Sequence, residues 1–210
     1  MRSFWPSLLA VLLLAAGPVR AEETLLGPLE QPAAPPRQAD RTVRSALADS
    51  GRAELDDLFA RLASAKSAGE AHPAEQKILQ LWTRSGSATV DLMMGWADKA
   101  IGEKNYPRAL DLLDEVLVLK PDFAEGYNRR ATVHYLTDDY RLALRDIRAT
   151  LALEPRHFGA LSGFGAILAD IGDTRRAEEI FRKALALHPN LTGVKERLDD
   201  LEAADKGSPT

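Results

Sequence analysis

The chain has 210 residues and four histidines, His72, His134, His157 and His188, the side chains best suited to proton transfer or metal ligation near neutral pH. No two of them stand four apart with a carboxylate placed to complete a metal site. His72 and His188 each precede a proline and read as solvated turn residues. His134 falls at a close-packed seam and reads as a satisfied interior histidine. His157 reads as a contact at a helix start. Gly163-Phe164-Gly165 begins like a dinucleotide loop, but the third glycine is missing and no strand pattern precedes it. Gly159, Gly163 and Gly165 are expected instead to let one helix pack closely on its neighbours. There is no Gly-x-Ser-x-Gly elbow. The acidic runs Asp56-Asp57, Asp111, Asp114-Glu115, Glu178-Glu179 and Asp199-Asp200 lack calcium-loop spacing and read as solvated helix faces. One cluster is left, Trp82 and Trp96 with Ser85-Gly86-Ser87, which has the chemistry to hold a glycan or small molecule or to support hydrolysis. Hydrophobic packing accounts for the tryptophans more simply. No catalytic residue, cofactor or metal is assigned.

The elements that would position any site repeat every 34 residues. Pro121, Pro155 and Pro189 share that spacing, as do Ala109, Ala143 and Ala177. So do Leu117, Leu151 and Leu185, then Leu119, Leu153 and Leu187, and also Asn105, Asp139 and Asp173. A fixed period of this size marks a repeat architecture. The units are 90–123, 124–157 and 158–191, each holding two amphipathic runs with a break between them. Asn105, Asp139 and Asp173 are placed to accept from the free N–H groups that open the second helices. Pro107 suits a first turn. The repeated prolines end each pair, because proline cannot continue a helix. Asp122-Phe123-Ala124-Glu125 reads as a capping box opening unit two. The repeated alanines let paired helix backbones approach closely.

This pattern resembles the tetratricopeptide repeat (TPR) family. Unit three carries its motif as Leu161, Gly165, Ala177, Phe181, Ala184 and Pro189. Unit two has Tyr127, Ala131, Ala143, Ile147, Thr150 and Pro155. Unit one has Met93, Ala97, Ala109, Leu113, Val116 and Pro121. The resemblance covers about half the chain. It implies an all-α, right-handed α-solenoid of helix-turn-helix units whose first helices line a concave, partner-binding face. The side chains it implies for that face are Asp91, Met94 and Asp98 in unit one, Glu125, Asn128, Thr132 and Tyr135 in unit two, and Ser162 and Asp170 in unit three. Asn128 has donor and acceptor for an extended peptide backbone, and Tyr135 is the kind of side chain that anchors interfaces. The face is neutral to acidic and lacks the lysine and arginine positions of the chaperone-type carboxylate clamp, so acidic C-terminal peptides are not expected as ligands.

Segments outside the repeats have their own signatures. Residues 1–21 join Arg2, the apolar run around Leu8-Leu9-Ala10-Val11-Leu12-Leu13-Leu14, and small residues before a cleavage point after Ala21. That is the layout of a secretory signal, and it predicts a periplasmic or secreted protein with no membrane span once cleaved. Removing it takes away Arg2 and Arg20, leaving 25 Lys+Arg against 31 Asp+Glu, net −6. Such a balance opposes nucleic acid as a partner. There is no cysteine, so neither disulfides nor thiolate metal sites are available. Residues 22–50 are proline-rich and read as a mostly disordered linker. Residues 51–88 read as an N-terminal helical hairpin, a degenerate repeat or cap, with Pro73 opening its second helix. Glu75 stands there in place of the close-packing alanine, and Ser87 in place of the proline. Residues 192–203 read as a C-terminal capping helix, and 204–210 as a disordered tail. Arg130 stands at a unit position that is usually apolar. A buried guanidinium needs a carboxylate, and Asp114 and Asp146 are its predicted partners.

The function expected from all this is a non-enzymatic scaffold holding a protein or peptide in the concave groove. The alternatives are an envelope-complex subunit that uses its outer face, or a small-molecule, glycan or hydrolytic site near the hairpin and unit one.

Overall fold

A computed structural model of the chain describes residues 38–207. Among these there are nine helices and no strand: α1 Gln38–Ser64, α2 Ala68–Trp82, α3 Ala88–Gly102, α4 Tyr106–Leu119, α5 Ala124–Leu136, α6 Tyr140–Leu153, α7 Phe158–Asp170, α8 Thr174–Leu187 and α9 Thr192–Gly207. The chain divides into two compact units, Met1–Arg44 and Ser45–Thr210. Of the first, only the start of α1 falls among the described residues; the second holds the rest of α1 and every later helix. The signal at 1–21, most of the linker at 22–50 and the last three tail residues lie outside the described residues.

The three repeat units are α3–α4, α5–α6 and α7–α8. Asn105, Asp139 and Asp173 sit at the N-caps of α4, α6 and α8, each accepting from the backbone N–H three residues on. Ala109, Ala143 and Ala177 are all fully buried where paired helices meet. Each apolar cluster reaches into the next unit's first helix. The first joins Leu113 and Val116 of α4 to Val133 of α5. The second joins Ala143 and Ile147 to Ile167 of α7. The third joins Phe181 and Ala184 to Val194 and Leu198 of α9. Burial that crosses every unit boundary is what makes hairpins of this kind stack into an α-solenoid. Gly165 permits the tightest contact. A Cβ there would lie 2.4 Å from the Phe181 ring, itself buried.

Several sequence expectations are corrected. α1 begins at Gln38, ahead of the linker boundary at 50, and α9 runs on to Gly207. Pro73 lies inside α2. The helix starts earlier because Ser67 accepts from Glu70 N, while Glu70 Oε2 accepts from Lys66 N at 2.9 Å, the reciprocal device looked for at 122–125. At that second place Phe123 occupies the N-cap with no side-chain bond, and Asp122 pairs with Lys120 at 2.8 Å. The hairpin α1–α2 is not stacked on α3 as a preceding unit would be. It lies against the α6–α7 and α8–α9 turns. Trp82 stacks on His157 with centroids 4.2 Å apart, Arg156 Nη1 meets Asp56 at 2.5 Å, and Asn190 Nδ2 donates to Ala65 O at 2.9 Å. His188 is therefore buried, not solvated, with Phe158 edge-on to its ring.

Candidate functional site

The first helices α5, α7 and α9 lie side by side and form a trough. Its floor is α7, whose residues Gly159, Gly163 and Ala166 present backbone and methyl only. Between α5 and α7 a depression of about 180 Å³ is walled by Asn128, Thr132 and Tyr135. Between α7 and α9 a second, of about 450 Å³, is walled by Ser162, Phe181, Val194 and Arg197. Gly163 lines both. The smaller one falls below the usual range of small-molecule sites, roughly 300–1,000 Å³, and suits one inserted side chain.

Of the nine predicted residues, the structure brings five to this trough. Asn128, Thr132 and Tyr135 line the first depression and Ser162 the second. Asp170 closes one end, accepting from Tyr135 Oη at 2.9 Å and Tyr140 Oη at 3.4 Å, with Arg197 Nη2 at 3.3 Å. The other four are spent elsewhere. Met94 is buried in the core of unit one, because α3's inward face turns it toward α4. Glu125 is 4% exposed. It accepts from His157 Nε2 at 2.9 Å and Asn128 Nδ2 at 3.1 Å, and pairs with Arg129 at 3.1 Å. His157 Nδ1 in turn accepts from Ala160 N at the start of α7. Asp91 binds the 85–87 turn, with Ser85 Oγ at 2.6 Å and Ser85 N at 2.8 Å. Those two bonds hold its carboxyl below the ordinary range. Asp98 pairs with Arg129 at 3.1 Å.

Sequence reasoning missed the α9 wall. Thr192 stands 34 residues after Phe158, so α9 opens in register as a fourth first helix. That spacing was the available signal. The tryptophan–hydroxyl cluster is not assembled. Trp82 belongs to the hairpin core with Phe59 and Phe158, whereas Trp96 lies half-exposed on α3. Ser85 and Ser87 are used in the turn and at the N-cap of α3. Among the described residues no group of three or more His, Cys, Asp or Glu is arranged to hold a metal ion, and no helix is long and apolar enough to cross a membrane.

No model of a known protein family matches the chain. Individual proteins and structures do resemble it. Small glutamine-rich tetratricopeptide repeat-containing protein 2 of Saccharomyces cerevisiae is 25% identical over 155 residues, 73% of this chain and 44% of that protein. The Sgt2 TPR domain of Aspergillus fumigatus superposes with a TM-score of 0.54 at 21% identity, covering 59% of this chain and 87% of that one. The first TPR of Spaghetti (RPAP3) bound to an HSP90 peptide has the same score at 19% identity, covering 56% and 94%. At such identities these structures establish the fold. A TPR repeat-containing protein of Rhizobium etli is 42% identical over 161 residues, 77% of this chain and 79% of the relative. With the 34-residue columns and the stacked helix pairs, that likeness makes the chain a member of the TPR repeat-containing proteins.

Proposed function

We propose that this protein is a non-enzymatic binding module that holds a segment of a partner protein in the trough across α5, α7 and α9, and that the signal at 1–21 delivers it to the periplasm. One observation carries the reading. The floor of α7 is bare at Gly159, Gly163 and Ala166, so a chain laid along it meets the wall of Asn128, Thr132 and Tyr135 on one side and the apolar side chains of α9 on the other. A solved relative of this fold carries a short peptide, SRMEEVD, of HSP90. Holding a short segment is the mode carried over, but not that ligand. Both arginines near the trough are already paired, Arg129 with Asp98 and Glu125 and Arg197 with Asp170. The expected partner segment is neutral and apolar, with side chains small enough for the 180 Å³ depression.

The test is capture from the native envelope followed by mass spectrometry, with the unaltered chain beside Asn128→Ala/Tyr135→Ala and Gly163→Leu. An added Cβ at Gly163 meets only Ile147, at an ordinary van der Waals distance of 3.8 Å, so leucine is accommodated at its Cβ and projects into the trough. Loss of the same partner from both variants supports the reading. Retention by both, with loss on changing Val118 and Leu119, favours the outer face, where those side chains are 75% and 56% exposed on α4.

A further inference from the structure

The α1–α2 hairpin is attached to the repeats in a way that lets it come away alone. The clusters that stack the repeats contain no hairpin residue. The hairpin's own cluster takes from the repeats only Phe158, with Leu187 and Leu191 packed against it. The rest of the seat is side-chain contact at two turns. At the α6–α7 turn Trp82 stacks on His157 and Arg156 pairs with Asp56. At the α8–α9 turn Asn190 donates to Ala65 O. A unit held by one small apolar cluster and a few such bonds opens more readily than the stacked core.

Those two turns are also where the trough helices begin. Gly159 and Ala160, just past the first turn, line the depression between α5 and α7. Leu191, Thr192, Gly193 and Val194, at the second, line the one between α7 and α9. A docked hairpin therefore fixes both helices at the end where the trough starts. His157 makes the connection directly: Trp82 lies on its ring, and its Nδ1 accepts from Ala160 N at 3.1 Å.

The two histidines under the hairpin differ in how they are satisfied. Both ring nitrogens of His157 are bonded, Nε2 to Glu125 and Nδ1 to Ala160 N. His188 is 2% exposed, and its Nδ1 has no hydrogen-bond partner among the described residues. On its α2 side stands Glu75, whose Oε2 lies 3.7 Å from Nε2 and 4.0 Å from His72 Nδ1. On its α7 side stands the Phe158 ring, and Leu191 N donates to the His188 carbonyl at 3.2 Å. The neutral ring suits this seat with its proton on Nε2, facing Glu75. A second proton would make a buried N–H with no acceptor, which is strongly unfavourable, and lifting the hairpin gives it water. Burial accordingly holds His188 below its ordinary pKa of 6.5, against the pull of Glu75. We propose that the hairpin is an acid-released brace: docked, it fixes the starts of α7 and α9, and protonation of His188 lifts it and frees them. Its bearing on binding rests on the reading of the trough given above; the docking equilibrium itself does not.

Hydrogen exchange of individual amides, followed by NMR on the purified chain, tests it without a ligand. A ring that is neutral when docked and of ordinary pKa when lifted makes the lifted state about tenfold more populated at pH 5.5 than at pH 7.5. Protection of the α2 amides, corrected for intrinsic rates, is therefore expected to fall about tenfold between those pH values and to stay level in His188→Leu. The amides of Ala160, Leu161, Val194 and Lys195, which bond back to His157 and Leu191 at the starts of α7 and α9, are expected to follow α2. Those of α3 and α4 are expected to stay better protected than α2 at both pH values. Trp82→Ala at pH 7.5 is expected to lower protection of α2 and of the same four amides by at least roughly tenfold, which keeps the test valid if His188→Leu folds poorly. The proposal is overturned by a pH response that survives in His188→Leu, or by α2 exchanging at one common rate with α3 and α4. It is equally overturned if the four amides keep their protection when Trp82→Ala frees α2. Each of these outcomes leaves the trough reading standing, which fails instead on the capture experiment above.

Discussion

Arg130 shows how a single side chain ties two units together. Its Nε and Nη2 reach Asp146 within its own unit at 2.6 and 2.9 Å, and its Nη1 reaches Asp114 of unit one at 2.6 Å. The bond to Asp146 holds the guanidinium above its ordinary pKa, against the opposing pull of burial. The two carboxylates differ in exposure, the Asp146 side chain at 2% and that of Asp114 at 63%. Arg130→Met leaves Asp146 charged and buried with Arg145 as its remaining close cation, and is expected to cost about 3 kcal/mol. Asp114→Ala breaks an exposed contact and is expected to cost less than about 1 kcal/mol. Denaturant titration checks both, and a Met variant as stable as the parent would remove the pair from the account. This pair was legible in the sequence, because a charge at an apolar-period position demands a carboxylate within reach. Glu125 was not, because its burial comes from His157, 32 residues away.

At the scale of elements, the same turn recurs between paired helices. Its last residue before the cap is Lys104, Asp138 or Gly172, again 34 apart, with φ of 57°, 57° and 83°. This left-handed conformation is unfavourable for Lys by roughly 1–2 kcal/mol and is free for Gly. Lys104→Gly is expected to stabilise by about 0.5–1 kcal/mol and Asp138→Gly by less, since Asp tolerates this geometry; thermal melts decide, and destabilisation by both would contradict the reading. The column escaped sequence reading because three unlike residues share it, whereas the prolines, alanines and caps repeat as types. The hairpin latch has its own signature. Burial pushes His188 below its ordinary pKa of 6.5, against the weaker pull of Glu75, whose Oε2 is 3.7 Å away. Burial likewise lowers His134 against Asp146. Below about pH 6.5 the unfolded chain takes up protons that the folded chain refuses, so stability falls as pH drops through that window. Chemical denaturation at pH 7 and 5.5 should show the fall, and His188→Leu should flatten it. An unchanged slope in that variant would remove His188 as a cause.

For the whole molecule, local period and long-range docking were unequally visible. Helix pairs, their caps and the stacking order followed from columns within one 34-residue window. The hairpin's seat did not, because Phe59 meets Phe158, Trp82 meets His157 and Asn190 meets Ala65 only in three dimensions. The candidate site divided the same way. Asn128, Thr132, Tyr135, Ser162 and Asp170 were legible from their unit positions. Met94 and Asp91 were claimed by neighbours that unit position does not reveal, and the α9 wall was hidden by its charged outer face. The central claim is that the trough across α5, α7 and α9 carries the partner. A photo-crosslinking side chain at Thr132 or Ser162, compared with one at Val118 or Arg175 on the second helices, tests it most directly in the native envelope. The account expects one partner segment attached from Thr132 and Ser162 and none from the second helices. The same partner attached from Val118 or Arg175 alone would contradict it.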